Sequence, residues 1–136
     1  MYGKVLTDPV YLQKVARAAL RVLHRLGVKD IVVTGASGLV PASVISSLDG
    51  VRISYIRKPT ENSHGFSRKP GEDRPFVLLD DFIGTGATLR RMLEFVQRRP
   101  EAIILYSNNE MEKNVRPFRY KRWRIPVINI EDDIDE

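Results

Sequence analysis

The sequence has 136 residues, which is the length of one compact domain. Hydrophobic residues make up 43% and charged residues 29%, a balance typical of a folded protein and not of a disordered one. There is no cysteine, which excludes disulfides, thiolate metal sites and cysteine nucleophiles. No apolar run approaches the roughly 20 residues that a membrane-spanning helix needs. Because the N-terminus also lacks a signal-peptide pattern, we expect a cytoplasmic protein.

The net charge of +5 is unevenly distributed along the chain. Residues 131–136 are acidic at five of six positions, so we expect a domain over residues 1–130 followed by a short acidic tail. A basic body indicates an anionic partner, which can be a phosphate-bearing small molecule or a nucleic acid, although surface charge also serves solubility.

Apolar residues at helical spacing predict a first α-helix near the N-terminus. Asp8 is a suitable N-cap, Pro9 suits the first turn and Gly27 is placed to end the helix. His24 lies beside the basic face of this helix, so we predict a surface histidine there.

Beyond this helix the pattern changes to short apolar runs that alternate with helices. The predicted strands are 31–33, 51–57, 76–79, 102–106 and 126–130, and the predicted helices are 41–48 and 88–98. Strands that are apolar on both faces indicate an α/β fold, a mostly parallel twisted sheet flanked by helices. Residues 58–74 are polar and rich in breakers, which predicts a long, mobile and functional loop. Ligands of such folds bind at the carboxyl ends of the strands.

The segment 77–89 is the most informative part of the sequence. Asp80 and Asp81 end a buried strand, and a Gly-Thr-Gly-Ala-Thr loop at 84–88 then opens directly into a helix. The helix N-terminus and the loop amides suit a phosphate, whereas two carboxylates suit sugar hydroxyls or Mg²⁺. The lysine of a nucleoside-triphosphate loop and the third glycine of a dinucleotide fingerprint are both absent.

This segment resembles the phosphoribosyl diphosphate (PRPP) signature of the type I phosphoribosyltransferases. The resemblance implies that Asp80 and Asp81 bind the ribose hydroxyls, and Mg²⁺ directly or through ribose or water. It also implies a loop that binds the ribose 5-phosphate, formed by Gly84, Thr85, Gly86, Ala87 and Thr88.

Two positions depart from the commonest family pattern, Phe82 and Gly84. In the hypoxanthine/guanine branch the position of Gly84 is similar to an aspartate that acts at the purine ring. Glycine has no side chain for that role, which disfavours six-oxopurines and leaves the adenine-like and orotate-like branches open.

A second family loop follows the first strand and binds pyrophosphate through backbone amides. Residues 34–38 lie at the expected place, and the resemblance assigns pyrophosphate binding to Ala36, Ser37 and Gly38. Small residues allow the close approach of backbone that this role requires. A glycine-rich turn of this kind is also common for purely structural reasons.

A third region resembles the Arg-Lys…His-Gly loop of orotate phosphoribosyltransferases, through Arg57, Lys58 and His64. Arg57 and Lys58 are candidates to neutralise the departing pyrophosphate, and a closing loop that carries His64 is a candidate to exclude water. However, Glu61 stands where that family has a catalytic lysine, and the spacing is one residue longer. Either Lys58, Arg68 or Lys69 replaces that lysine, or the reaction is slow, or the chemistry differs.

The segment 116–124 carries five basic and three aromatic residues. We consider three interpretations, in which Phe118 and Trp123 fill the core beneath a basic surface, form a small hood over a nucleobase, or bind nucleic acid.

The resemblance as a whole implies a single-domain fold with a reduced hood, and a homodimeric enzyme. The reaction it implies uses PRPP and Mg²⁺, transfers ribose 5-phosphate to a nucleobase and releases pyrophosphate. The alternative is a PRPP-sensing regulator or nucleic-acid-binding module without turnover, which Glu61 favours.

Overall fold

The fold is taken from a computed structural model, which describes residues 7–57, 70–71, 73–107 and 116–134. In these ranges the helices are α1 (Pro9–Leu26), α2 (Gly35–Asp49), α3 (Ala87–Val96) and a short 3₁₀ helix (Glu131–Asp133). The strands are β1 (Asp30–Val33), β2 (Arg52–Tyr55), β3 (Val77–Asp80), β4 (Ala102–Leu105), β5 (Phe118–Tyr120), β6 (Trp123–Ile125) and β7 (Val127–Asn129).

Five of these strands form one sheet in the order β2-β1-β3-β4-β7, and every neighbouring pair is parallel. The predicted α/β class with a parallel sheet is therefore confirmed. Strands β5 and β6 form a separate antiparallel hairpin. None of the helices in the described ranges combines the length and apolar character that crossing a membrane requires.

The strands bury side chains on both faces of the sheet, because successive residues of a strand point in opposite directions. Val33 and Leu79 face the core on the side of α1 and α2. Val32 and Leu78 face the opposite core, which α3 and the β5–β6 hairpin cover. This two-sided burial accounts for the continuously apolar strand sequences.

Helix α1 begins and ends as its sequence predicts. The Asp8 carboxylate accepts hydrogen bonds from the backbone N–H groups of Val10 (3.0 Å) and Tyr11 (3.2 Å). Gly27 ends the helix with a φ of 69°, a left-handed conformation that glycine adopts without a Cβ penalty. His24 lies at the surface, as predicted, with its Nε2 2.7 Å from a carboxylate oxygen of Asp49.

Helix α2 begins at Gly35, so the predicted start at residue 41 is wrong. Pro41 lies inside the helix and not in its first turn. Proline has no N–H to donate to the carbonyl four residues earlier, that of Ser37. The hydroxyl of Tyr106 donates to that carbonyl instead, which compensates for the missing helical bond.

The C-terminal end of the predicted 58–74 loop is anchored. Arg98 donates hydrogen bonds to the carbonyls of Gly71 (2.7 Å) and Arg74 (2.5 Å). The Arg74 side chain in turn pairs with the buried Asp30, at 3.3 Å. Gly71 and Arg74 are thus held by hydrogen bonds. Residues 58–69 and 72 lie outside the described part of the chain, so the mobility of the loop stays a prediction.

The segment 131–136 begins with the 3₁₀ helix, and Ile134 after it is buried in the core on the α1 side. Arg21 of α1 donates a hydrogen bond to the carbonyl of Asp133 (3.3 Å). The division of the chain at residue 130 stays a prediction.

Candidate functional site

A cleft of about 200 Å³ opens at the carboxyl ends of β1 and β3. Its lining residues come from two of the regions that the sequence singles out, residues 34–38 and the segment 77–89. They are Thr34, Ser37, Asp80, Asp81, Phe82, Ile83, Gly84, Thr85, Ala87 and Thr88. The structure thus brings the acid pair, the glycine–threonine loop and the start of α2 into one concave site.

The two carboxylates are buried at the base of this cleft, Asp80 with 5% and Asp81 with 7% of its surface exposed. One Asp80 oxygen accepts hydrogen bonds from the Ser37 hydroxyl (3.2 Å) and from the Asp81 backbone N–H (2.9 Å). An Asp81 oxygen accepts from the Phe82 backbone N–H (2.9 Å). Such contacts hold both side chains in place while leaving further lone pairs for a ligand.

Burial raises the pKa of Asp80 from 3.8 to about 7, and the neighbouring Asp81 adds to the effect through a hydrogen bond and its negative charge. The hydrogen bonds from the Asp81 backbone and Ser37 lower the pKa in part. Near neutral pH the acid pair therefore binds a proton. A cation or hydroxyl donors from a ligand would stabilise the buried carboxylates in place of that proton.

The loop after the acid pair turns on two glycines. Gly84 has a φ of 58° and Gly86 a φ of 83°, both in the left-handed region that side chains disfavour. The Gly86 N–H donates to the Ile83 carbonyl (2.9 Å), and the Thr85 hydroxyl accepts from the Ala87 N–H (3.3 Å). Helix α3 begins directly afterwards, so its positive end opens at the loop, where an anion is favoured.

The predicted pyrophosphate residues form the first turn of α2. Ser37 lines the cleft, whereas Ala36 and Gly38 are not among its lining residues. A Cβ on Gly38 would lie 2.9 Å from the Val33 Cβ and 3.0 Å from the Leu79 carbonyl oxygen. Glycine at position 38 is therefore required for the close packing of α2 on the sheet.

The predicted cationic region is only partly described. Arg57 follows β2 and is exposed at the carboxyl end of the sheet. Lys58 and His64 lie outside the described residues, as does Glu61. Their contribution to the site stays a prediction.

The structure adds contacts that the sequence did not identify. The buried Thr34 hydroxyl donates to the Ile56 carbonyl (2.7 Å) and accepts from Arg91 Nη2 (3.0 Å), which ties α3 to the ends of β1 and β2. Tyr106 reaches Ser37 from 69 positions along the chain. No local sequence pattern could reveal such contacts, because they depend on which strands are neighbours.

Solved structures of phosphoribosyltransferases match the fold of this chain. Adenine phosphoribosyltransferase from Giardia lamblia, complexed with 9-deazaadenine, matches with a TM-score of 0.68 and 18% identity over 95% of this chain and 84% of that one. Adenine phosphoribosyltransferase from Thermoanaerobacter pseudethanolicus matches with a TM-score of 0.65 and 18% identity, over 93% and 83% of the two chains. Purine phosphoribosyltransferase from Pyrococcus horikoshii matches with a TM-score of 0.60 and 19% identity, over 88% and 87%.

These matches show that the chain has the type I phosphoribosyltransferase fold, as the sequence motifs predict. No protein-family model matches the sequence, and no curated protein matches it. At such low identity, likeness extends to the fold, and the activity has to be argued from the cleft itself.

Proposed function

We propose that the protein is a PRPP-dependent phosphoribosyltransferase, which transfers ribose 5-phosphate to a ring nitrogen of a nucleobase and releases pyrophosphate. The observation that carries this proposal is the meeting of a buried acid pair with a glycine–threonine loop in one cleft on this fold. A molecule that presents both hydroxyls and a phosphate within a few ångströms satisfies both halves of the cleft. A ribose 5-phosphate is such a molecule.

The reaction breaks the bond between ribose C1 and a pyrophosphate oxygen and forms a bond between C1 and a ring nitrogen of the base. The proton of that nitrogen is lost to the departing pyrophosphate. Positive charge develops on the ribose ring as pyrophosphate leaves, and carboxylates beside the ring stabilise that charge. Asp80 and Asp81 serve this role and accept hydrogen bonds from the ribose hydroxyls. The loop 84–88 and the N-terminus of α3 anchor the 5-phosphate and thereby fix the position of C1.

The acid pair also fits Mg²⁺. Two adjacent buried carboxylates, one with a pKa raised to about 7, gain from a cation that relieves their repulsion. When bound, Mg²⁺ would neutralise part of the pyrophosphate charge. The described residues hold no cluster of three metal-ligating side chains, so substrate and water oxygens would complete the coordination.

For the leaving group we propose the start of α2 and the predicted cationic residues. Ser37 already faces Asp80 across the cleft, and the first amides of a helix suit an anion. Arg57 and Lys58 would add positive charge that neutralises the departing pyrophosphate, and a closing loop with His64 would exclude water, as the resemblance implies. Ala36 and Gly38 would contribute through their backbone amides alone.

Phe82 supports a planar acceptor. This side chain is 39% exposed, lines the cleft and directly follows Asp81, so its ring offers an apolar surface beside the ribose position. Gly84 offers no side chain to a six-oxo group. We therefore propose adenine or a similar base as the acceptor, which agrees with the adenine enzymes among the structural neighbours.

The test measures pyrophosphate release from PRPP and Mg²⁺ with adenine, hypoxanthine, guanine, orotate and uracil in turn. We expect release with adenine and loss of release in the D80N/D81N variant. Release of pyrophosphate with orotate alone would favour the orotate-like branch instead. PRPP binding by calorimetry without release for any base would favour the sensing regulator, the interpretation that Glu61 supports.

We also propose that the enzyme is a homodimer, as the resemblance implies, and that it acts in the cytoplasm. Light scattering on the purified protein measures its molar mass in solution. A molar mass equal to that of one chain at the assay concentration would contradict the dimer.

A further inference from the structure

A second cleft, of about 440 Å³, lies between α3 and the β5–β6 hairpin. Four arginines line it together with Pro117 and Phe118; they are Arg90, Arg116, Arg119 and Arg124. No carboxylate forms an ion pair with any of the four within the described part of the chain. The cleft is thus a concentration of positive charge outside the site proposed for PRPP.

The hairpin places two of these charges in an unfavourable arrangement. Arg119 and Arg124 are directly opposite each other across the antiparallel pair, and both are exposed. Like charges at opposed positions destabilise a hairpin unless an anion lies between or above them. A ligand with several negative oxygens would convert this repulsion into paired contacts, for which the guanidinium fork is well suited.

Arg90 gives the cleft a rigid wall. Its Nη1 donates to the Thr85 carbonyl (2.9 Å), and its guanidinium carbon lies 5.2 Å from the centre of the Phe118 ring. Both Arg90 and Phe118 pack against Gly86, where a Cβ would come within 2.8 Å of Arg90 Nη1. The cleft therefore backs directly onto the glycine–threonine loop.

The aromatic residues of the hairpin argue against a strand of nucleic acid. Phe118 is only 8% exposed and is covered by Arg90, while Tyr120 and Trp123 pack against the core with their rings 5.9 Å apart. Single-stranded nucleic acids are bound through exposed aromatic faces on which bases stack. Here the positive charge is present, whereas Phe118 is buried and Tyr120 and Trp123 are each partly buried.

We propose that this arginine cleft is a second binding site, which takes the polyphosphate group of a small ligand. The ligand class is a compound with two or more linked phosphates, held by the guanidinium groups of Arg116, Arg119 and Arg124 against the wall formed by Arg90. None of its lining residues lines the first cleft, although Arg90 connects the two clefts through its hydrogen bond to the Thr85 carbonyl.

The test titrates the full chain with inorganic tripolyphosphate by calorimetry, at low salt and without PRPP. Arg119→Gln with Arg124→Gln removes two charges from exposed positions, so the fold is expected to persist. The matched control is Arg17→Gln with Arg25→Gln, which removes two exposed charges from α1. We expect at least a tenfold loss of tripolyphosphate affinity in the first variant and less than twofold in the control.

A third variant separates this site from the first cleft. Thr88→Val alters the loop proposed for the ribose phosphate, and we expect it to leave tripolyphosphate affinity at the arginine cleft unchanged. Equal losses of tripolyphosphate affinity in both double variants would show an effect of net charge only and would overturn the proposal. A loss of affinity in Thr88→Val with none in R119Q/R124Q would also overturn it. Binding of a labelled single-stranded RNA that is lost in R119Q/R124Q, with no tripolyphosphate binding by the wild type, would assign the cleft to nucleic acid instead.

Discussion

Replacing Asp80 with asparagine should change how the stability of the protein depends on pH. In the folded protein the pKa of Asp80 is about 7, against 3.8 for the unperturbed group. Between these values the folded protein holds a proton that the unfolded chain has released. The free energy of unfolding of the wild type therefore falls as pH rises toward 7, by at most about 1.4 kcal/mol per pH unit from this group.

Asparagine at position 80 has nearly the same shape but does not titrate, and its amide oxygen can still accept from Ser37. Urea unfolding of both proteins from about pH 5 to about pH 8 measures the difference. We expect the free energy of unfolding of the variant, relative to that of the wild type, to rise by about 2 kcal/mol between pH 5 and pH 7. Above the pKa of Asp80 we expect this difference to become constant. Ionisable groups remote from the acid pair are present in both proteins, so their contributions cancel.

Asp73→Asn is the matched control, because Asp73 is exposed. We expect its difference from the wild type to be constant over the same pH range. A difference for Asp80→Asn that stays constant within about 0.5 kcal/mol would refute the inference that burial and Asp81 hold a proton on Asp80.

The remaining predictions concern the loop and the second carboxylate. Thr88→Val should weaken PRPP binding by about 1–3 kcal/mol, the range for a hydrogen bond to a charged group, and unchanged calorimetric affinity would remove this loop from the site. Asp81→Asn should impair Mg²⁺-dependent PRPP binding and leave the melting temperature nearly unchanged, whereas unfolding would assign the pair a structural role. Gly86→Ala should destabilise the fold by about 1–2 kcal/mol, because a φ of 83° is left-handed and the added Cβ meets Arg90 and Phe118; urea unfolding indistinguishable from the wild type would contradict this.

The fold was largely predictable because its strands carry a simple signal. Runs such as 31–33 and 102–105 are buried on both faces, and a short, continuously apolar run between helices is typical of a strand in a parallel sheet. The hairpin of β5 and β6 was not predicted as strands. Its residues alternate between buried and exposed positions, but five basic side chains in nine residues obscured that pattern. Phe118 is buried and Trp123 is partly buried against the core, which favours the interpretation that they pack beneath a basic surface.

The site was predictable only where its residues are adjacent in sequence. Asp80, Asp81 and the loop that follows form one continuous segment, so their chemistry could be read directly. Thr34 and Arg91 meet across 57 positions, and their contact follows from the strand order and the crossing of α3. Periodicity assigns a residue to an element, but it does not say which elements become neighbours.

The end of β4 explains why the start of α2 and the segment after β3 meet in one cleft. The backbone N–H of Ser107 donates to the Asp81 carbonyl (2.8 Å), which continues the sheet pairing beyond β3 and positions the acid pair. The neighbouring Tyr106 hydroxyl holds the Ser37 carbonyl that Pro41 leaves without its helical donor. The two segments are thus held beside the same strand end, one by a backbone N–H and the other by the Tyr106 hydroxyl, through contacts that do not use the carboxylate side chains. For this reason substitutions at Asp80 or Asp81 are expected to change the charge of the cleft while its shape persists.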